Sequence, residues 1–150
     1  MGNGHDQKRL DRNWDDLLQE LRVAQTGVQI LTGFLLTVPF SSRFDQLSSG
    51  QVRVYLAVLC GGVLTTSFVI APVAFHRILF RQHEKDWLVE AANQCARIGL
   101  VLLAITSSGV LFLVFDVSLG GLPATVALVT ALSAFVVLWG ALPWWTRREK

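Results

Sequence analysis

The sequence predicts an all-α membrane protein, a bundle of four transmembrane helices with an amphipathic N-terminal helical extension. Three observations carry that expectation: the composition, the clustering of charge and the length of the apolar runs. Of 150 residues, 52% are hydrophobic and 16% charged, with a mean hydropathy of +0.47. That is too little charge to cover the surface of a soluble domain of this size. The charged residues gather in the first 22 positions, near 43–53, over 77–97 and at the last few positions. The apolar runs between them, about 23–40, 54–75, 98–115 and 124–143, approach the roughly 20 residues that cross a hydrocarbon core of about 30 Å. Buried core helices of a soluble protein are shorter and bounded by charged faces.

Taken in order, residues 1–12 are polar, contain glycine and are expected to be mobile, with the four-helix domain occupying 13–150. From Asn13 the pattern is helical, because Leu17, Leu18, Leu21 and Ala24 recur at three- and four-residue spacing. Asn13 is a reasonable N-cap with acidic residues in the turn after it, and Trp14 suits a membrane interface. Span one is the least hydrophobic, carrying Gln25, Thr26 and Gln29 near its start, and closes at Pro39. A polar loop from Arg43 to Arg53 leads to span two, in which Pro72 removes a backbone donor and predicts a kink. The connection from His76 to Gln94 is basic and amphipathic. A tight turn from Asp116 to Pro123 joins spans three and four, and Pro143 is expected to end span four ahead of Trp144 and Trp145.

Eleven of the thirteen Lys and Arg residues lie on one side of this topology, and only Arg43 and Arg53 on the other. Positive charge is retained on the cytoplasmic side, so both termini are expected there, in the inner (cytoplasmic) membrane. The net charge of +2 is thus a topology signal and not a nucleic-acid signal, and the basic face would favour anionic lipids. Residues 1–22 lack the early apolar core of a signal peptide. Asp6 stands where a myristoylation site has Ser or Thr. Cys60 and Cys95 are placed on the order of 20 Å apart, beyond disulfide reach, and are expected to be free thiols.

The most informative feature is a polar stripe on helix one. At 100° per residue, Asp15, Gln19, Arg22, Thr26, Gln29, Gly33 and Thr37 fall within about 40° of one direction. In lipid such side chains are expected to turn inward, where they bond to neighbouring helices or line a watered pathway. No Asp, Glu, Lys or Arg lies near the middle of any span. Arg97 and Asp116, at the inner and outer ends of span three, are candidates for an ion pair or relay; Arg97 could meet Asp15, Asp16 or Glu20. Small residues recur at Ala57, Gly61 and Thr65, and at Ala124, Ala127, Ala131 and Ala134, spacings that allow close helix approach. His76 and His83, near Glu84, Asp86 and Glu90, match no standard zinc spacing, so no metal site is expected. The absence of a nucleophile–base pair, phosphate loop or haem ligand set leads us to expect neither an enzyme nor a cofactor.

The run Asn13–Leu31, opening Asn13-Trp14-Asp15-Asp16-Leu17-Leu18, resembles a small actinobacterial family of uncharacterised four-span membrane proteins. Phe34-Leu35-Leu36-Thr37-Val38-Pro39-Phe40, Ala71-Pro72-Val73 with His76-Arg77, and Leu113-Val114-Phe115-Asp116-Val117 extend the resemblance over nearly the whole chain after residue 12. It implies a domain of unknown function, some members of which carry an automatic sodium:proton antiporter label; the missing mid-span carboxylate argues against that label here. In size and span count the chain is also similar to small multidrug-resistance transporters, but it lacks their embedded glutamate. The leading expectation is a structural or accessory membrane protein, either a homo-oligomer or bound to a membrane-protein partner. The alternative is a small transporter, or antiporter subunit, with Arg22, Thr26, Gln29 and Asp116 along the route.

Overall fold

The computed structural model describes residues 3–79 and 85–148. Helix α1 runs from Asn3 to Thr37, α2 from Ser49 to Leu79, α3 from Lys85 to Leu119 and α4 from Gly121 to Val136. A π-helical turn, Val137–Ala141, joins α4 to a short α5, Leu142–Arg148. No strand occurs among the described residues. Four segments are long and apolar enough to cross a membrane: Gln19–Phe40, Ser49–Phe75, Val89–Leu119 and Gly121–Trp145. The chain has the build of a multi-pass membrane protein, with large side chains such as Val63, Val101, Val126 and Leu138 turned outward as a lipid-facing surface requires.

The spans are longer than hydropathy alone predicts, for reasons that lie at their ends. Helix α1 starts ten residues before Asn13, so Asn13 is not its N-cap; no proline interrupts 3–12 and most residues there are competent in a helix. The expected loop from Arg43 to Arg53 is partly helical. Two 3-10 turns, Val38–Phe40 and Phe44–Gln46, follow α1, and α2 begins at Ser49. A capping box sets that start: the Ser48 N–H donates to Gln51 Oε1 at 3.0 Å, and the Gln51 N–H donates to Ser48 Oγ at 3.2 Å. Arg53 stays on the helix by donating from Nε to the Ser49 carbonyl. Between α3 and α4 the expected turn shrinks to Gly120, at φ 91° and ψ 179°.

Two prolines lie within helical stretches. Pro72 is fully buried inside α2, which continues through it to Leu79. Pro143 does not end the last span. It lacks the N–H that would bond the Trp139 carbonyl, and the widened π turn just before it absorbs the mismatch, so helix resumes to Arg148.

The internal contacts fall into two units, one of Met1–Leu36 with Gly62–Leu102, the other of Thr37–Gly61 with Leu103–Lys150. In the first, α1 buries Leu21, Val28 and Leu35, spaced by seven. It meets α2 at Thr32, whose Oγ1 would lie 2.8 Å from a methyl group added at Gly62. Gly99 of α3 faces Val69 and Phe68 of α2, one turn before Pro72. In the second unit Tyr55 is buried and meets Phe44 edge-on, with centroids 5.5 Å apart. There α2 and α3 approach through glycine on each side: Gly61 beneath Thr106, and Gly109 beneath Val58. Ala124 and Ala127 of α4 are buried, whereas Ala134, like Ala57 of α2, is exposed. The two small-residue patterns therefore serve packing only in part.

Candidate functional site

Helix α1 has two contrasting faces. Leu21, Val28 and Leu35 are 7%, 0% and 5% exposed, which fixes the direction of its packed side. At 100° per residue the polar stripe points roughly 140° away from that line. Gln19, Arg22, Thr26, Gln29, Gly33 and Thr37 are all exposed, and Asp15 lies on α1 with its side chain outside the described residues. Within the single chain the stripe is therefore on the outside of α1, and the neighbouring helices or watered pathway expected beside it are not among the chain's own buried contacts. The physical reason is competition between faces. An aliphatic line with seven-residue spacing takes the buried side, and Gly62 of α2 admits Thr32 near it. Burying two glutamines and an arginine on that side instead would cost far more than burying aliphatic side chains.

Hydroxyls and amides differ sharply in what they need from such a position. Thr26 donates to the Arg22 carbonyl at 3.0 Å, four residues back along its own helix. Ser67 and Thr125, also exposed, do the same with Val63 and Gly121. A hydroxyl has one proton and is satisfied this way. A glutamine amide carries two N–H groups and an acceptor oxygen, and the Gln29 amide forms no hydrogen bond to another described residue. Gln29 is ten residues from one end of the Gln19–Phe40 span and eleven from the other. One turn on, Gly33 has nothing within 4 Å of the place where a methyl group would be. The stripe thus has open space beside a mid-span amide.

Arg97 and Asp116 are nineteen residues apart in α3, the first in one compact unit and the second in the other. Arg97 is exposed and makes no ion pair among the described residues, Asp16 and Glu20 included. Asp116 is half-buried, and its Oδ2 accepts a hydrogen bond of 2.9 Å from Gln51 Nε2. Gln51 therefore closes the α2 cap with its oxygen and ties down α3 with its nitrogen. The structure makes Asp116 an anchor at the end of the helix pair. Cys60 and Cys95 are both free. His83 and Glu84 lie outside the described residues, as do the side chains of His76 and Asp86.

Several of these residues were not singled out in the sequence. The Ser48-x-x-Gln51 box ahead of an apolar run was a readable signal. Gly62, next to the already noted Gly61, also carried one, since small residues at the centre of a span mark close approach. Their partners Thr106 and Thr32 sit on other helices, and nothing local in the sequence names them.

Three of the four membrane-length spans, all but the last two residues of the fourth, and the stripe lie within residues 3–143, the stretch matched by the family model described as a family of unknown function, DUF6328. The chain belongs to this family. The match takes in α1 from its first residue and reaches Pro143, so DUF6328 membership covers the polar stripe and the glycine contacts alike. No curated protein and no solved structure matches the chain.

Proposed function

We propose that this DUF6328 member is a non-enzymatic structural or accessory protein of the cytoplasmic membrane, working by contact between its α1 stripe and other membrane helices. Orientation follows from charge: with eleven of thirteen Lys and Arg residues on the side of the termini, both ends face the cytoplasm. The observation that carries the proposal is the direction of the stripe. From Gln19 to Thr37 its members are exposed on α1 within the apolar Gln19–Phe40 segment, and in a membrane lipid would offer them no hydrogen bonds where another helix does. Among the described residues the buried polar side chains Thr65, Thr106 and Ser108 are neutral hydroxyls, as is the buried Oγ1 of Thr32; Ser108 bonds back to the Ala104 carbonyl at 2.7 Å. They serve close packing.

The test is solvent access to the stripe. Single cysteines at Thr26, Gln29 and Gly33, in a background with Cys60 and Cys95 replaced by serine, are to be treated with a membrane-impermeant thiol reagent from the cytoplasmic side of native membranes. The expected result is protection at Gln29 and Gly33. Rapid labelling at both would show a watered route along α1 and would favour a transport role.

A further inference from the structure

The partner of the α1 stripe can be named by its chemistry. Gln29 sits about 15 Å from either end of its span, too deep for a glutamine side chain to reach the headgroups. Its amide is exposed and has both donors and an acceptor to satisfy. Unlike Thr26, it is not satisfied by the carbonyl one turn back. Whatever covers it must present a donor and an acceptor at the bilayer centre.

We infer that the occupant is a second copy of this chain, packed α1 against α1 about a two-fold axis along the membrane normal, with Gln29 facing its counterpart. This deepens the proposal of a helix-contact protein and rests on it. Copies inserted with one topology are related by such an axis, which sets each residue against its equal at the same depth. A primary amide is self-complementary, so two glutamines make reciprocal N–H to O hydrogen bonds with no third group. The uncharged members of the stripe need no partner of opposite charge. Gly33 supplies the room: with nothing within 4 Å of its missing side chain, it lets a second backbone come close one turn from the amides. Arg22, the one basic residue of the inner stripe, lies seven residues from Gln29, about 10 Å nearer the membrane surface. There the two arginines can extend to the headgroups and be screened. A different protein would have to offer a donor and an acceptor at this depth by coincidence of sequence.

The test uses the full chain, purified and reconstituted in vesicles of phosphatidylcholine and phosphatidylglycerol. Energy transfer between donor- and acceptor-labelled copies is followed as protein is diluted in lipid. The expected result is transfer that saturates as a dimer. Q29L should weaken association roughly tenfold, and Q29N should retain most of it. In a background lacking Cys60 and Cys95, a cysteine at Gly33 should cross-link on oxidation, whereas one at Phe34, exposed on another flank of α1, should not. Monomeric behaviour at all dilutions would overturn the inference, as would wild-type association by Q29L with cross-linking at Phe34. A monomer in vesicles whose stripe thiols stay protected in native membranes would remove the second copy yet leave the accessory role standing. Labelled thiols would remove the accessory role itself.

Discussion

Alanine at Gly61 is expected to destabilise the folded chain by about 1–3 kcal/mol, and a second alanine at Thr106 to restore most of the loss. The added methyl would lie 2.5 Å from Thr106 Oγ1, well inside contact distance, but 3.6 Å from Thr106 Cβ, an ordinary separation. Thr106 is only 3% exposed, so its hydroxyl has little room to swing aside, and the overlap must be relieved by separating α2 from α3. Removing the hydroxyl removes the overlap. Helix propensity works in the opposite direction, favouring alanine by about 1 kcal/mol in water, which makes the sign of the effect informative. Gly27, with nothing within 4 Å of an added methyl, provides the control: its alanine variant should match or exceed the wild type. Unfolding by sodium dodecyl sulfate in mixed micelles measures all four proteins. A Gly61→Ala variant as stable as the wild type would show that the two helices are not in close contact at this point.

Gly120→Ala is expected to cost a similar amount, on the order of 1–3 kcal/mol, through the backbone alone. With φ 91° and ψ 179° this residue occupies a region that only glycine enters without strain. No atom lies within 4 Å of its missing side chain, so crowding plays no part. The conformation has a purpose: the Gly120 N–H closes α3 on the Asp116 carbonyl at 3.2 Å, and the Gly120 carbonyl accepts the Ala124 N–H at 3.3 Å to open α4. Relaxing φ to suit an L side chain would break one or both bonds. Gly121, beside it with no positive φ and an ordinary 3.8 Å approach to Asp116 Oδ1, should accept alanine with little change. Equal stability of the two variants in the same unfolding measurement would contradict the strained single-residue turn.

These residues also show how far the sequence could be read. Four spans were legible because hydropathy is an average over some 20 positions and tolerates local error. Their ends were not, since each depends on a few specific bonds. Arg53 looks like loop by charge, yet it rides on α2 because Ser48 and Gln51 cap the helix before it. Pro143 looks like a terminator, yet a π turn carries the helix past it. On α1, periodicity grouped Gln19, Arg22, Thr26, Gln29 and Gly33 on one face, and the structure keeps them together on the exposed side. Which face points inward is a different question. The choice between the Leu21–Val28–Leu35 line and the glutamine line depends on what α2 offers, and Gly62 beneath Thr32 supplies the fit on the aliphatic side. The inward rule for polar groups in membranes holds for a complete assembly; in a single chain it can leave a polar face outward. Asp116 was legible as a helix-end residue, but its tie to Gln51, sixty-five residues away in sequence, was not.

The central claim is that the outward polar face of α1 is covered by protein. Nitroxide labels placed singly at Thr26, Gln29 and Gly33, and for comparison at Val23 and Phe34, test it most directly through collisions with oxygen, which enters lipid, and with a water-soluble nickel chelate. The account predicts low accessibility to both reagents at Gln29 and Gly33, and high oxygen but low nickel accessibility at Phe34. High oxygen accessibility at Gln29 and Gly33 would place the stripe in lipid, high nickel accessibility would place it in water, and either would contradict the account.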